Sequence, residues 1–370
     1  MREHPVATTR PRVGAVVIGR NEGERLKRCI DSVLAVVDRV VYVDSGSSDG
    51  SVEWARARGV EVVELDLSRP FTAARARNEG FARLMDRWGQ PTEVGIPAVE
   101  VVQFLDGDCV LDRDWIDNAL GAIDADRRAE SSRPLAVVCG RRRETDPDAS
   151  PYNRLCDIEW NTPIGEADAC GGDALVRRDA FEGVGGYDPA VIAGEEPELC
   201  VRLRLEGWRI ERLDAEMTRH DAAMHRFSQW WRRNERAGHA YAEGRYCHGS
   251  GPTRHYVREV KSNLLWAGAV PIVALALSFF TLWGLLAWLT YPILYLRVVR
   301  STRRRGLSAR DARLYAWSCT LGKFPQLVGM VRFHLRRWRG TDPTIIEYKG
   351  AKPSSASGES APPPRVDHEH

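Results

Sequence analysis

The sequence predicts an α/β fold, a parallel sheet with helices on its faces. Apolar strand-like runs at Val13 to Ile18, Val40 to Val43 and Val60 to Leu65 alternate with helical patterns at Glu24 to Val37, Trp54 to Arg58 and Thr72 to Trp88. A fourth run, Val99 to Val110 (VEVVQFLDGDCV), is apolar almost throughout before it breaks at Asp106-Gly107-Asp108. A run of that kind suits a strand covered on both faces.

Each element has a local reason. The first helix repeats apolar residues at Leu26, Ile30, Val33, Leu34 and Val37, the spacing of one helical face. The second strand runs into an acidic Ser/Gly loop, Asp44 to Ser51, and the third helix carries Arg75, Arg77 and Asn78 near its start. Past Asp108, Asp112 is placed to cap a helix reaching Ile123, and Leu135 to Cys139 reads as a strand. Arg141 to Asp168 is polar and irregular, an insertion expected over the site. Ala174 to Val176 is a strand leading into a short helix, Pro197 to Glu206 a helix, Trp208 to Leu213 an edge strand, and His220 to Tyr241 a helix rich in Trp and Arg.

The Asp-Gly-Asp break carries chemistry. Two carboxylates two residues apart on extended backbone point to one side, at the strand end where ligands gather in such sheets. Gly107 leaves room for a ligand to approach. Paired hard oxygen ligands suit Mg²⁺ or Mn²⁺ carrying phosphate oxygens, whereas the plainer reading is a solvated turn.

The formal charge of +2 conceals an asymmetry: Arg297 to Gly340 holds twelve Lys and Arg against one Asp, so the rest of the chain is net acidic. A basic block of that kind points to a membrane surface or to nucleic acid, and no nucleic-acid module accompanies it. The eight cysteines have no zinc-type spacing, which fits a reduced compartment. The amino terminus, MREHPVATTRPR, has no apolar core for a signal peptide. Ser262 to Leu296 contains no charged residue. The expected division is an arm (1–12), an α/β domain (13–245), a linker and hydrophobic hairpin (246–296), basic amphipathic helices (297–350) and a disordered tail (351–370).

In order, VVIGRNEG, VDSGSSDGS, ARARNEG, FLDGDC, GGDALVRRDAF, GGYDP and GEEPELCVRLRLEGW resemble the family 2 glycosyltransferases of the GT-A fold, over roughly Val13 to Tyr241. The resemblance implies a Rossmann-like mixed sheet that binds a nucleoside-diphosphate sugar, with a carboxyl-terminal helical region at the membrane. It implies that Asn21 and Glu22 face the nucleotide, that Asp44 and Asp49 meet the nucleobase edge, and that Arg75, Arg77 and Asn78 reach phosphates or ribose. Asp106 and Asp108 match the DXD-type motif, with Mn²⁺ or Mg²⁺ bridging the diphosphate, and His220 in TRHDAAMH resembles an additional metal ligand. The family's catalytic Glu-Asp is Glu195-Glu196 here. Pro197 suits a first helical position and so favours Glu196 at the cap, making Glu196 the expected base. Gln229-Trp230-Trp231-Arg232-Arg233 is similar to the Gln-x-x-Arg-Trp element of membrane-bound polysaccharide synthases. Arg233 replaces its Trp, a departure that counts against processive synthesis.

The resemblance therefore implies a metal-dependent, inverting transfer of a sugar to an acceptor hydroxyl in polysaccharide, glycolipid or cell-envelope synthesis, on a lipid-linked or polysaccharide acceptor. A polyprenyl-phosphate sugar synthase and a catalytically inactive nucleotide-binding relative are the alternatives. Two full crossings would use nearly all of Ser262 to Leu296, and one crossing would strand the basic block on the far side, against the preference for cytoplasmic Lys and Arg. The expectation is a hairpin entering and leaving from the cytoplasmic face of the cytoplasmic (inner) membrane.

Overall fold

The computed structural model describes residues 12–69, 71–93 and 95–340. The expected arm, Arg12 apart, the end of the basic region beyond 340 and the expected tail lie outside the described residues. Strands and helices alternate through the first quarter of the chain: β1 (Val13–Gly19), α1 (Glu24–Leu34), β2 (Arg39–Asp44), α2 (Ser51–Ala57), β3 (Glu61–Glu64), α3 (Ala73–Trp88) and β4 (Val101–Asp106). β1 pairs in parallel with β2 and β4, and β2 with β3. The apolar runs explain this arrangement, because Val16, Val41, Val43, Phe104 and Leu105 are all fully buried between helical layers.

The second half departs from a parallel sheet. After β5 (Cys109–Leu111) come α4 (Trp115–Arg128), β6 (Leu135–Glu144), α5 (Pro151–Trp160), β7 (Gly165–Glu166), β8 (Ala174–Arg177), α6 (Arg178–Gly183), α7 (Glu195–Leu205), β9 (Arg209–His220) and α8 (Phe227–His248). The strand order among the described residues is β3-β2-β1-β4-β8-β6-β9-β5, with β7 against β9. β8 runs antiparallel to β4 and β6, so the sheet is mixed.

Several local expectations are corrected. Asp112 is not a helix cap: α4 starts at Trp115, and Asp112 Oδ1 instead accepts from the Asp114 amide at 3.0 Å in a turn. Arg141 to Asp168 is not irregular. β6 continues to Glu144 because it pairs with β9, and Ser150 caps α5 by accepting from the Tyr152 and Asn153 amides. The expected edge strand at Trp208 to Leu213 is the first part of a twelve-residue strand flanked by β6, β5 and β7. His220 ends that strand, and the helix expected from it begins at Phe227.

Past α8 the chain forms α9 (Val257–Asn263), a π-helical turn (Leu264–Ala269), α10 (Val270–Phe280), a 3₁₀ segment (Leu282–Leu289), α11 (Thr290–Arg304), α12 (Ala309–Leu321) and α13 (Lys323–Arg339). The widened turn lies just before Pro271, which lacks the N–H a regular α-helical turn would use. Thr281 alone separates α10 from the 3₁₀ segment, and Gly284 lies flat on the Leu277–Ser278 backbone, where a Cβ would meet atoms at 2.2 Å. Both limbs are long and apolar enough to cross a membrane. The tip is bare, with Phe279 88%, Phe280 84%, Leu282 84% and Trp283 77% exposed. Both feet of the hairpin rejoin one body. α9 packs on α8 and α13, and after the hairpin Asp311 of α12 receives a two-pronged ion pair from Arg154 at 3.0 and 2.9 Å.

Gly80 sets how closely α3 approaches the sheet, since a Cβ there would lie 2.4 Å from Val16 Cγ1 and 2.8 Å from Val43 Cγ2. Gly80→Ala should lower the stability of the purified protein by roughly 1–3 kcal/mol, the usual cost of overpacking a filled core, read as a lower thermal midpoint. An unchanged midpoint would mean that α3 has slack against β1 and β2.

Candidate functional site

The carboxyl ends of β1 and β4 open into a cleft of about 790 Å³. At its floor the chain turns at Gly107, whose amide donates to Ile18 O at 2.8 Å, and re-enters the sheet as β5. β5 pairs antiparallel with the last residues of β9, Cys109 opposite His220. That register sets Asp108 beside His220, with Nε2 3.2 Å from Oδ1 and both residues buried. Burial, then the charge of Arg142, pushes His220 down to about 4, so its imidazole is neutral at ordinary pH. A carboxylate oxygen and a neutral imidazole nitrogen are a donor set that suits Mn²⁺ better than Mg²⁺. Cys109 lies within 4.8 Å of both donors, but burial and Asp173 push its thiol well up, so it stays protonated.

Three residues to which the sequence reading gave no role brace this floor. Asp173, fully buried, accepts from Thr218 Oγ1 at 2.8 Å, Cys109 Sγ at 3.2 Å and the Asp106 amide at 3.2 Å, and pairs with Arg142 at 2.6 Å. Arg142 lies over the Trp160 ring, which meets His220 edge-on at 4.6 Å. Arg142 and Trp160 fall in the stretch read as irregular, and Asp173 reads as loop until the β4–β8 pairing brings it under Asp106.

On the other wall, Thr72 Oγ1 caps α3 by accepting from the Arg75 amide at 3.0 Å. Arg77, 2% exposed, reaches Asp106 Oδ1 at 2.7 Å and Glu195 Oε1 at 2.8 Å. Burial disfavours its charge, but Asp106 and Glu195 outweigh that and raise its pKa. Arg75 turns away from the cleft to Glu79 at 2.7 Å and to the Asp66 and Arg69 carbonyls. Asn78 closes a double hydrogen bond with the Tyr187 backbone at 2.7 and 2.9 Å.

The acidic loop acts largely on itself. Asp44, 2% exposed, accepts from Tyr42 Oη at 2.7 Å and from the Gly46 and Ser47 amides at 2.8 and 2.7 Å. Asp49 accepts from the amides of Gly23 at 2.8 Å and Ser51 at 3.1 Å. Although burial works against its charge, bonds from Ser51 and Gly23 hold its carboxyl below the usual range. Asn21, at φ 54°, accepts from the Ser48 amide at 2.8 Å and lines the cleft with Glu22.

The two glutamates part company. Gly194, at φ 82°, is the cap of α7, so Glu195 and Glu196 occupy successive first-turn positions, and Glu196 is not the cap residue expected from Pro197. Successive helical residues point about 100° apart. Glu195 borders the cleft, whereas Glu196 Oε1 turns inward, accepting from the Cys170 amide at 2.6 Å and from the thiols of Cys170 and Cys200 at 3.0 and 3.1 Å. Of the expected residues, Asn21, Glu22, Arg77, Asp106, Asp108, Glu195 and His220 gather at the cleft; Asp44, Asp49, Arg75, Asn78 and Glu196 stand behind it.

Comparison with known proteins agrees with this geometry. Residues 15–185 match the family model Glycosyl transferase family 2. The chain is 22% identical over 218 residues to Glycosyltransferase AglE of Haloferax volcanii, covering 55% of this chain and 65% of that protein. It is 26% identical over 223 residues to the Pre-mycofactocin glycosyltransferase of Mycobacterium tuberculosis, covering 56% of this chain and 42% of that protein. These matches span less than two thirds of the length of either curated relative. Among solved structures, the mannosyltransferase PcManGT from Pyrobaculum calidifontis, in complex with GDP-Man and Mn²⁺, superimposes with a TM-score of 0.52 over 90% of both chains at 16% identity. The mixed sheet and the cleft at its strand ends are therefore a GT-A fold, and residues 15–185, which hold β1 to α6, match Glycosyl transferase family 2.

Proposed function

We propose that the protein is a metal-dependent, inverting glycosyltransferase that uses a nucleoside-diphosphate sugar. The observation carrying this reading is the meeting of Asp106, Asp108, Glu195 and His220 around one cleft at the strand ends. The fold neighbour's complex with GDP-Man and Mn²⁺ supports the same donor class. Asp108 and His220 would hold a divalent cation, with Asp106 beside them. Once bound, that cation would neutralise charge on the departing diphosphate.

The chain's own residues account for the remaining steps. Asn21 and Glu22 shape the nucleotide end of the cleft, in a loop tied to Ser47 and Ser48. Glu195 takes the proton of the acceptor hydroxyl as the bond from that oxygen to the anomeric carbon forms. The bond from that carbon to the diphosphate oxygen breaks in the same step, and the nucleoside diphosphate leaves. A single displacement of this kind inverts the anomeric centre. Arg77 holds Glu195 Oε1 at 2.8 Å and so fixes where that carboxylate stands beside the cleft.

The hairpin, we further infer, dips into the cytoplasmic membrane from its cytoplasmic face. Asn263 to Phe280 spans roughly 27 Å at α-helical rise, against a hydrocarbon core of about 30 Å. The bare aromatic tip and the return of both feet to one body support this reading, as does the basic content of Arg297 to Arg339.

Asp108→Asn should abolish Mn²⁺-dependent binding of nucleoside diphosphate, measured by calorimetry, while circular dichroism stays unchanged; binding at the normal level would remove Asp108 from the metal site. Glu195→Gln should cut sugar transfer by about a hundredfold or more, with donor binding little altered, whereas Glu196→Gln should act mainly through stability. The reverse ranking would return the role of base to Glu196. Phe280→Asp combined with Trp283→Asp should shift the protein from the membrane pellet to the supernatant at high salt. Retention in the pellet would show that the tip does not anchor the chain.

A further inference from the structure

Behind Glu195, three groups that the transfer reaction leaves unused meet in the core. Cys170, Glu196 and Cys200 each contribute one ligand atom, all within 4.8 Å of one another, and all three residues are buried, Cys200 completely. The two sulfurs stand 3.7 Å apart, and Glu196 Oε1 lies 3.0 Å from Cys170 Sγ and 3.1 Å from Cys200 Sγ. Glu196 and Cys200, one turn apart on α7, share a helical face. Cys170 comes from the loop before β8, so no zinc-type spacing marks the group in the sequence. No lysine, arginine or histidine pairs with Glu196 among the described residues. Its carboxylate is met by one amide, that of Cys170 at 2.6 Å, and by two weak S–H donors. A carboxylate buried with so little to balance it is a place for a cation.

Geometry and donor chemistry narrow the choice of ion. Bonds of about 2.3 Å to two sulfurs 3.7 Å apart meet at close to the tetrahedral angle, the preference of thiolate-bound Zn²⁺. The shorter sulfur–oxygen separations place such an ion out of the plane of the three atoms, which leaves a fourth position for a water molecule. Two sulfurs and one carboxylate oxygen suit borderline-soft Zn²⁺, whereas Mn²⁺ and Mg²⁺ prefer harder ligands. Softness therefore sorts ions between this group and the pair Asp108 and His220.

We propose that Cys170, Glu196 and Cys200 form a metal site of their own, which takes Zn²⁺ and staples α7 to the floor of the cleft. On binding, the two thiols give their protons to solvent and the ion takes the place of those protons against Glu196 Oε1. Before binding both thiols are protonated: the hydrogen bond to Cys200, then burial, lifts Cys170 well above the usual thiol range, and burial pushes Cys200 up to about 11. The staple reaches the cleft from both of its ends. From Cys170 the chain passes to Gly172, where a Cβ would lie 2.9 Å from Asp106 Oδ2 and 3.1 Å from an Arg77 Nη atom. On α7, Glu195 is the residue before Glu196. The ion thus fixes how far Glu195 stands from Asp106.

The test titrates Co²⁺, as a visible stand-in for Zn²⁺, into the full-length, detergent-solubilised protein after chelation under a phosphine reductant. A thiolate-to-Co²⁺ charge-transfer band should grow to one ion per chain, with two protons released per ion. Zn²⁺ should abolish the band, and about a tenfold excess of Mn²⁺ should leave it, as the order of divalent affinities requires. The Cys170→Ser, Cys200→Ser double variant should lose the band with circular dichroism unchanged, and either single variant should weaken it, so the test stands even if the double variant misfolds. Glu196→Gln should weaken Co²⁺ binding by at least about tenfold, the lower end of what losing even an outer partner of a metal costs. Zn²⁺ should also raise the thermal midpoint more in the wild type than in the double variant. Absence of the band in the wild type, or its full persistence in folded Cys170→Ser and Cys200→Ser proteins, would overturn the proposal. A band lost in Cys109→Ser instead would assign the ion to the Asp108–His220 floor and overturn it as well. Equal rises in thermal midpoint would overturn the stapling of α7.

Discussion

The Arg77 guanidinium holds the cleft together. It is 2% exposed and bridges Asp106, at the end of β4, to Glu195, at the start of α7, so three elements far apart in sequence meet at one group. Burying a charge is costly unless it is paired, and here two carboxylates do the pairing. A planar fork can serve two acceptors at once with fixed geometry, which a lysine ammonium does less well. Neutralising Asp106 in this way divides the labour between the two aspartates of the motif. Asp108 lies instead against the neutral imidazole of His220 and is the better placed of the two to meet a cation.

How far the site could be read from sequence follows from how local its causes are. The β1–α1–β2–α2–β3–α3–β4 alternation was legible because each strand is an apolar run and each helix is amphipathic. β8 and the start of β9 were read as strands, but the antiparallel pairing of β8 and the run of β9 on to His220 were not legible, since pairing partners are chosen by the sheet and leave little trace in the strand itself. The Asp108–His220 contact depends on that invisible step. It exists because Cys109 pairs with His220 across β5 and β9, while local pattern alone would run a helix through His220. Asp173, Arg142 and Trp160 brace the floor from segments that look like loop. A buried arginine or aspartate in such a segment gives no sign of itself until its partner is known.

The acidic residues teach a related lesson. Asp44 and Asp49 sit where a motif would put ligand-binding carboxylates, yet their oxygens are taken up by amides of their own loop and of Gly23. They shape the loop that Asn21 and Ser45 present to the cleft. The paired glutamates divide for a simpler reason: α7 begins two residues earlier than Pro197 implies, because Gly194 adopts the left-handed conformation that caps it. Proline is tolerated throughout the first turn, where its missing N–H has no partner to lose, so it marks the neighbourhood of a helix start without fixing its first residue.

α8 joins the cleft to the helical layer from which the exposed apolar hairpin rises. A surface helix normally has one buried face and one solvated face. α8 instead packs Trp230, Asn234 and Gly238 against α12 and α13 while its other face borders the cleft. Gly238 meets the Gln326 backbone and Gly329 meets the Glu235 carbonyl so closely that neither side could accept a Cβ, which makes the contact between α8 and α13 nearly rigid. The hairpin leaves and rejoins that same helical layer, and its one-residue turn at Thr281 keeps both limbs on one path. Any depth the hairpin adopts in a bilayer is therefore passed, through α8, to the height of the cleft above the lipid surface. A catalytic domain on a flexible linker would sample many heights. A hairpin seated in a bilayer would here hold the cleft at a single height, the condition an enzyme must meet if its acceptor is fixed in the plane of a membrane.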